Sequence, residues 1–356
     1  MAGELITKSL LVALAVIAAA GQDCASYSCK TASINFADDT CLHSPNNPSS
    51  SHFYARYCQG GLCMQTTAQN FTCQFVNETV TEVLPGERCD NYKYVCGYAN
   101  QTCSVSRQCE GFSFNETCVT NEDCNPGLRC TDSGSDGLRC MHLLSDGDSS
   151  CHSDFDCQLD SGCNLETHEC MKYFSVGEGQ SIDPQLCNLN SHTSMFCENG
   201  YCDLGSDGNT YCIDLVKSKH AAPNECSFST ADSDCSGESA FSETPLYSTC
   251  SCGYGTKGKA YCSPFFGDEV GSIYLARMKE WIASPENQLH CNTVSRSSTK
   301  CMLDWWDPEK AGELVYYSNQ FSLYPFLQDL DECVKTTLFE SPPFTAQPFS
   351  SHVINK

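Results

Sequence analysis

Residues 118–140 read CVTNEDCNPGLRCTDSGSDGLRC, and residues 151–170 read CHSDFDCQLDSGCNLETHEC. In both stretches two five-residue gaps separate the first three cysteines, and an acidic residue, Asp123 or Asp156, precedes the second. Cys118, Cys124, Cys130 and Cys140 therefore answer Cys151, Cys157, Cys163 and Cys170 in turn. Cys89, Cys96, Cys103 and Cys109 repeat the scheme with gaps of six, six and five. A variant frames these three groups. Cys58, Cys63, Cys73 and Cys197, Cys202, Cys212 share gaps of four and nine, preceded by Cys41 and Cys187. Spacing that recurs this often marks internal repetition.

Gaps of nine residues also separate Cys130 from Cys140 and Cys252 from Cys262. Their centres carry Gly134–Gly137 and Gly255–Gly258, and Gly205–Gly208 lies between Cys202 and Cys212. Glycine and aspartate at the middle of such a gap predict a short β-hairpin. The fold class that follows is a tandem of small disulfide-rich modules, made of short hairpins and loops, ahead of a small α-helical C-terminal segment. Six modules are expected, at about 24–73, 89–109, 118–140, 151–170, 187–212 and 226–262. The layout is a signal peptide at 1–20, an N-terminal cysteine module at 21–82, tandem modules at 83–262, helices at 263–340 and a disordered tail at 341–356. Stretches such as SDGDSS before Cys151 and VGEGQS before Cys187 read as linkers. Such an array predicts a rod or curved string in which each module touches its neighbours.

The compartment follows from the start of the chain and from the cysteines. Lys8, an apolar run from Leu10 to Ala20, and Ala18-Ala19-Ala20 before Gly21 have the form of a cleaved signal peptide. All 30 cysteines follow Gly21, an even number that allows 15 bridges and no free thiol. No Cys-x2-Cys pair occurs, which removes the common zinc-ribbon spacing. Such a cysteine load is stable in oxidising compartments, so a secreted or extracellular protein is expected.

Twenty basic and 44 acidic residues give a net charge of −24. That balance argues against nucleic acid, whose binding needs Lys and Arg on phosphates. Anionic membrane surfaces are disfavoured on the same ground, and no span is expected. The partner that fits is an extracellular protein, a basic one by charge.

Beyond Cys262 only three cysteines remain, Cys291, Cys301 and Cys333, and all the tryptophans are there. Val270, Ile273, Tyr274, Met278, Trp281 and Ile282 predict one helix, ended by Ser284-Pro285. Asp307-Pro308 predicts the start of a second, through Leu314 and Val315, and a third is expected from Pro325 to Phe339. Trp281, Trp305, Trp306, Tyr316, Tyr317, Phe321, Tyr324 and Phe326 read as core filling ahead of a partner face. Parity adds a constraint. The 226–262 module holds five cysteines, with an extra one in Cys250-Ser251-Cys252. Five and three are both odd, so a bridge from Cys250 or Cys252 into the helical segment is expected.

Four N-x-T sequons, at Asn70, Asn77, Asn100 and Asn115, are candidate glycosylation sites. Asp132, Asp136, Asp203 and Asp207 flank the GSDG turns, but the ligand pattern of a calcium loop is incomplete there, and turn chemistry accounts for them. Neither G-x-S-x-G nor H-E-x-x-H occurs. Gly147-Asp148-Ser149 lacks the glycines of a serine-protease loop, and the nine histidines are scattered. No catalytic, cofactor or metal residue is therefore assigned.

At CVTNEDCNPGLRC and CHSDFDCQLDSGC the chain resembles the N-terminal cysteine-rich region of Dickkopf proteins. It is equally similar to multi-repeat cysteine-rich secreted proteins of protists. The resemblance spans about 89–212 and implies an extracellular protein-binding module. Dickkopf proteins are secreted Wnt antagonists with a second, colipase-like cysteine domain, which is not evident in this sequence. The expected function is a non-enzymatic secreted or surface-matrix protein that binds proteins or assembles. A soluble Dickkopf-like ligand or antagonist is the alternative, and a secreted enzyme using the helical segment is third.

Overall fold

The structure, a computed structural model, describes residues 24–29, 40–43, 52–58, 62–67, 70–74, 80–90, 92–97, 101–134, 137–239 and 245–338. The expected signal peptide at 1–20 and the expected tail at 341–356 lie outside the described residues. Small modules follow one another and give way to helices after Cys262. All 30 cysteines are bonded.

One pairing rule serves every module. The third and fourth cysteines face each other across a hairpin, as in Cys130↔Cys140, Cys163↔Cys170 and Cys202↔Cys212. They do not bond each other. The third bonds the first and the fourth bonds the second: Cys118–Cys130 with Cys124–Cys140, and Cys151–Cys163 with Cys157–Cys170. The same holds for Cys89–Cys103 with Cys96–Cys109, Cys187–Cys202 with Cys197–Cys212, and Cys41–Cys63 with Cys58–Cys73. In the last module Cys250 faces Cys262, so Cys250 is the third cysteine and Cys252 is the extra one.

These crossed bridges are the module cores. The buried cluster of 151–170 is its four cysteines alone, and that of 118–140 adds only Leu128. So little apolar surface cannot offset chain entropy. Each bridge, closing a loop of ~15 residues, contributes on the order of 3 kcal/mol instead.

The acidic residue before the second cysteine has a definite task. Asp123 Oδ2 accepts from the Val119 and Thr120 amides, and Asp156 Oδ2 from His152 and Ser153. Each closes a capping box around a short 3-10 turn, Asn121–Asp123 or Asp154–Asp156.

The stretches read as linkers belong to the modules. In each of four modules a turn precedes the first cysteine, and its fourth residue accepts from the first amide. The pairs are Leu84 with Glu87, Ser113 with Glu116, Ser145 with Asp148, and Gly177 with Gln180. Gly86, Asn115, Gly147 and Gly179, at positive φ in these turns, donate to the carbonyls of Cys109, Cys140, Cys170 and Cys212. An apolar residue just ahead, Val83, Phe112, Leu144 or Val176, pairs in parallel with the module's second cysteine.

The helices run Glu269–Ile282, Pro285–His290, Thr299–Trp305, Pro308–Ser322 and Glu332–Leu338. Asp307 caps the fourth by accepting from Glu309 and Lys310. The third expected helix is broken, with a 3-10 turn at Tyr324–Leu327 before Glu332. Arg277 pairs with Glu313, and Lys310 with Glu280, which sets the two long helices antiparallel. Trp281 and Leu314 of these helices and Met302 of the third are fully buried in one core, which Leu159, Tyr173 and Phe196 of the modules join.

That shared core replaces the expected string. The helical segment touches all six modules. Trp305 Nε1 donates to the Gly86 carbonyl, Asn292 to Cys124, Arg296 to Cys157, and the Phe266 amide to the Tyr201 hydroxyl. Tyr261 of the last module donates to Asp329, and Cys29 of the first is bonded to Cys333. Modules with almost no apolar core of their own gain one by packing on the helices.

The parity expectation needs correcting in the same place. Cys252 does leave its module, but it bonds Cys24, not the helical segment. Cys333 bonds Cys29. The first module, with six cysteines, keeps two bridges and sends two sulfurs out. Around them Tyr27 stacks on Phe53 and meets Tyr254 edge-on, while Val334 is buried in the first module's core. Both ends of the described chain are thus joined covalently.

Candidate functional site: a clasp across the tandem turns

Cys291 and Cys301 bond across the loop between the second and third helices. This closed loop lies on the 3-10 turns of two neighbouring modules. Asn292, fully buried, donates through Nδ2 to the carbonyls of Asn121 (3.0 Å) and Cys124 (2.7 Å). Four residues on, Arg296 donates through Nη2 to Asp154 (2.7 Å) and Cys157 (3.0 Å). Asn121 and Asp154 occupy the same position, three residues before the second cysteine. The clasp therefore satisfies one pair of carbonyls in both repeats, with a carboxamide in one and a guanidinium in the other.

Arg296 does more in its module. Nη1 reaches the carbonyls of Ser161 (2.9 Å) and Gln158 (3.4 Å), and Nε the carbonyl of its neighbour Thr293 (2.9 Å). Thr293 Oγ1 accepts from Nη2 and donates to the Phe155 carbonyl at 2.8 Å. A buried guanidinium tolerates its low-dielectric site because its planar fork of donors meets fixed acceptors.

The second module is held by charge and aromatic contact. Gly86 lies so close to the His290 carbonyl that a Cβ would approach it to 1.9 Å, so only glycine fits there. The Trp305 ring is stacked by His290 at 4.1 Å and covered by the Arg88 guanidinium at 4.8 Å. Ser298 Oγ donates to Glu87 Oε1 at 3.0 Å. Burial pushes the Glu87 carboxyl above the ordinary 4.5, although the Leu84 amide and Ser298 pull it back. Lys300 bonds Asp304 beside it.

The site residues expected from sequence fall as follows. Sulfurs of Cys41, Cys58 and Cys73, and of Cys118, Cys124 and Cys140, lie within ligand distance of one another, as do those of two further triplets. Every one is in a disulfide, and a disulfide sulfur is not the thiolate that binds metal. Asp132 accepts from Gly134, and Asp207 from Asn209 and Tyr211. Asp203 faces His192 at 3.2 Å. These are turn and pair contacts that do not converge; Asp136 lies outside the described residues. Asp148 of the Gly147-Asp148-Ser149 stretch accepts from Ser145. Asn115 is exposed in its turn, Asn70 is in the Asn70–Gln74 strand, and Asn77 and Asn100 lie outside the described residues. Of the aromatics, Trp281 and Trp306 are buried, while Tyr316 is exposed.

Sequence reading passed over Asn292 and Arg296. Their signal was slight: an asparagine and an arginine inside a short loop closed by two cysteines. The chain matches no family model, and no curated protein or solved structure matches it. The cysteine runs 118–130 and 151–163 are the closest repeats in the chain. Both of those runs face the clasp, through Asn121 and Cys124 and through Asp154 and Cys157.

Proposed function

We propose that this is a non-enzymatic extracellular protein, secreted or part of a surface matrix, that binds other proteins or assembles through its module surfaces. The observation behind this reading is the bonding of all 30 cysteines, with bridges that join the first module to the sixth and to the last helix. Such a frame suits an oxidising compartment and keeps its shape without a large core. Among the described residues no helix is long and apolar enough to cross a membrane. Module 118–140 holds two arginines against four acidic residues and module 151–170 holds no Lys or Arg against five, and Arg129 is already paired with Asp156, so their acidic balance favours a basic partner.

The experiment is expression of a tagged full chain in secreting cells, with crosslinking and recovery of bound protein. Retention at the cell surface or in granules, with a stoichiometric partner or self-assembly, supports the matrix reading. Release into the medium with saturable binding to a receptor would support the Dickkopf-like ligand instead. Accumulation as a reduced cytosolic protein would overturn both.

A further inference from the structure

Four modules open with the same turn, and at its left-handed position three carry glycine: Gly86, Gly147 and Gly179. The fourth carries Asn115, at φ 70°. Asparagine is the residue after glycine that best tolerates this conformation. It is also the one that can hold a glycan when Thr117 follows. Asn115 and Thr117 are exposed, and the backbone fixes the turn: the Asn115 amide donates to Cys140, and Arg139 Nη1 donates to the Asn115 carbonyl at 2.6 Å. Beside it Phe114 is 50% exposed and stacks on the exposed His142 at 4.7 Å.

We infer that Asn115 is N-glycosylated and that its first sugar lies on the Phe114 ring. Sugar C–H groups are weakly positive and meet the negative face of an aromatic ring, so the sugar covers the face of Phe114 that His142 leaves open. The covalent step takes place in the secretory pathway. Nδ2 of Asn115 attacks C1 of a lipid-pyrophosphate-linked oligosaccharide, the C1–N bond forms, the C1–O bond breaks, Nδ2 loses a proton, and the lipid pyrophosphate leaves. Transfer to the unfolded chain precedes the turn, so the folded geometry does not obstruct it. The inference rests on passage through that pathway, which recovery of the tagged chain from the medium or cell surface reports separately.

The test uses the full chain from cells that N-glycosylate. Intact-glycopeptide mass spectrometry shows Asn115 occupied. T117A and N115G each lose one glycan, and N115G restores the residue of the sister modules, so its turn still folds. Loss of the glycan lowers Tm on the order of 1–2 °C where Phe114 is present, and not resolvably in F114S. If T117A is not secreted, enzymatic trimming of folded wild type and F114S makes the same comparison. An empty Asn115, or an equal Tm loss with and without Phe114, would overturn the inference.

Discussion

Arg296 donates to the Cys157 carbonyl at 3.0 Å, as Asn292 does to the Cys124 carbonyl at 2.7 Å. One closed loop thereby reads two repeats at corresponding atoms. The cysteine modules and the helical segment are parts of one structure, and its stability depends on both.

Replacing Arg296 by Met should cost about 3 kcal/mol or more, because several buried carbonyls lose their donor. Hydrogen exchange should rise first in 154–161 and 291–301, while 187–212 stays protected. Unchanged exchange in 154–161 would show that the clasp does not hold that module.

Asp156→Ala removes the acceptor of a capping box and the partner of Arg129, and should cost about 1–2 kcal/mol. Burial opposes ionisation of Asp156, but the His152 amide and Arg129 outweigh it and hold the carboxyl below its ordinary 3.8. A depressed carboxyl contributes stability that is present above its unfolded value and lost as pH falls through the folded one. Urea melts at pH 6 and at acid pH should therefore show the D156A penalty shrinking on acidification. A penalty that grows would contradict this.

Glu87 should behave in the opposite sense. Its carboxyl is raised above 4.5 by burial, so the folded state holds the proton more tightly than the unfolded chain. Between 4.5 and the raised value, wild type should gain on E87Q as pH falls, and below 4.5 the difference should level off. Differential Tm measured across mildly acidic pH checks the sign. Wild type gaining on E87Q as pH rises would refute it.

Reductant should unfold the modules, whereas a chelator should leave them intact, since their buried clusters are disulfide sulfurs. Near-UV circular dichroism distinguishes the two treatments. Equal loss under chelation would mean that a metal, not the bridges, holds the sulfurs together.

The sequence was informative wherever the controlling interaction is local. Cys130 and Cys140 predict their hairpin because the turn lies between them, and Asp307-Pro308 predicts its helix because cap and amides are adjacent. The capping role of Asp123 and Asp156 left a mark as a repeated acidic residue. Contacts between distant segments left none. Cys24–Cys252 and Cys29–Cys333 span separations of 228 and 304 residues, and no spacing rule reaches that far. Parity showed that a sulfur must leave the 226–262 module. The six cysteines of the first module, an even number, concealed where it goes. The stretches around Gly147 and Gly179 read as linkers and not as parts of modules, since the partners of these glycines are the carbonyls of the fourth cysteines. The clasp was invisible for a similar reason, because backbone carbonyls carry no sequence.

Peptide mapping without reduction shows whether the two ends of the array are covalently closed. Protein cleaved between Cys24 and Cys29 under acidic, thiol-blocking conditions should yield a peptide pair joined by Cys29 and Cys333, and a three-peptide cluster in which the Cys250-Ser251-Cys252 peptide holds Cys24 through Cys252 and Cys226 through Cys250. Cys333 joined to Cys250 or Cys252, or to a second copy of the chain, would contradict that closure.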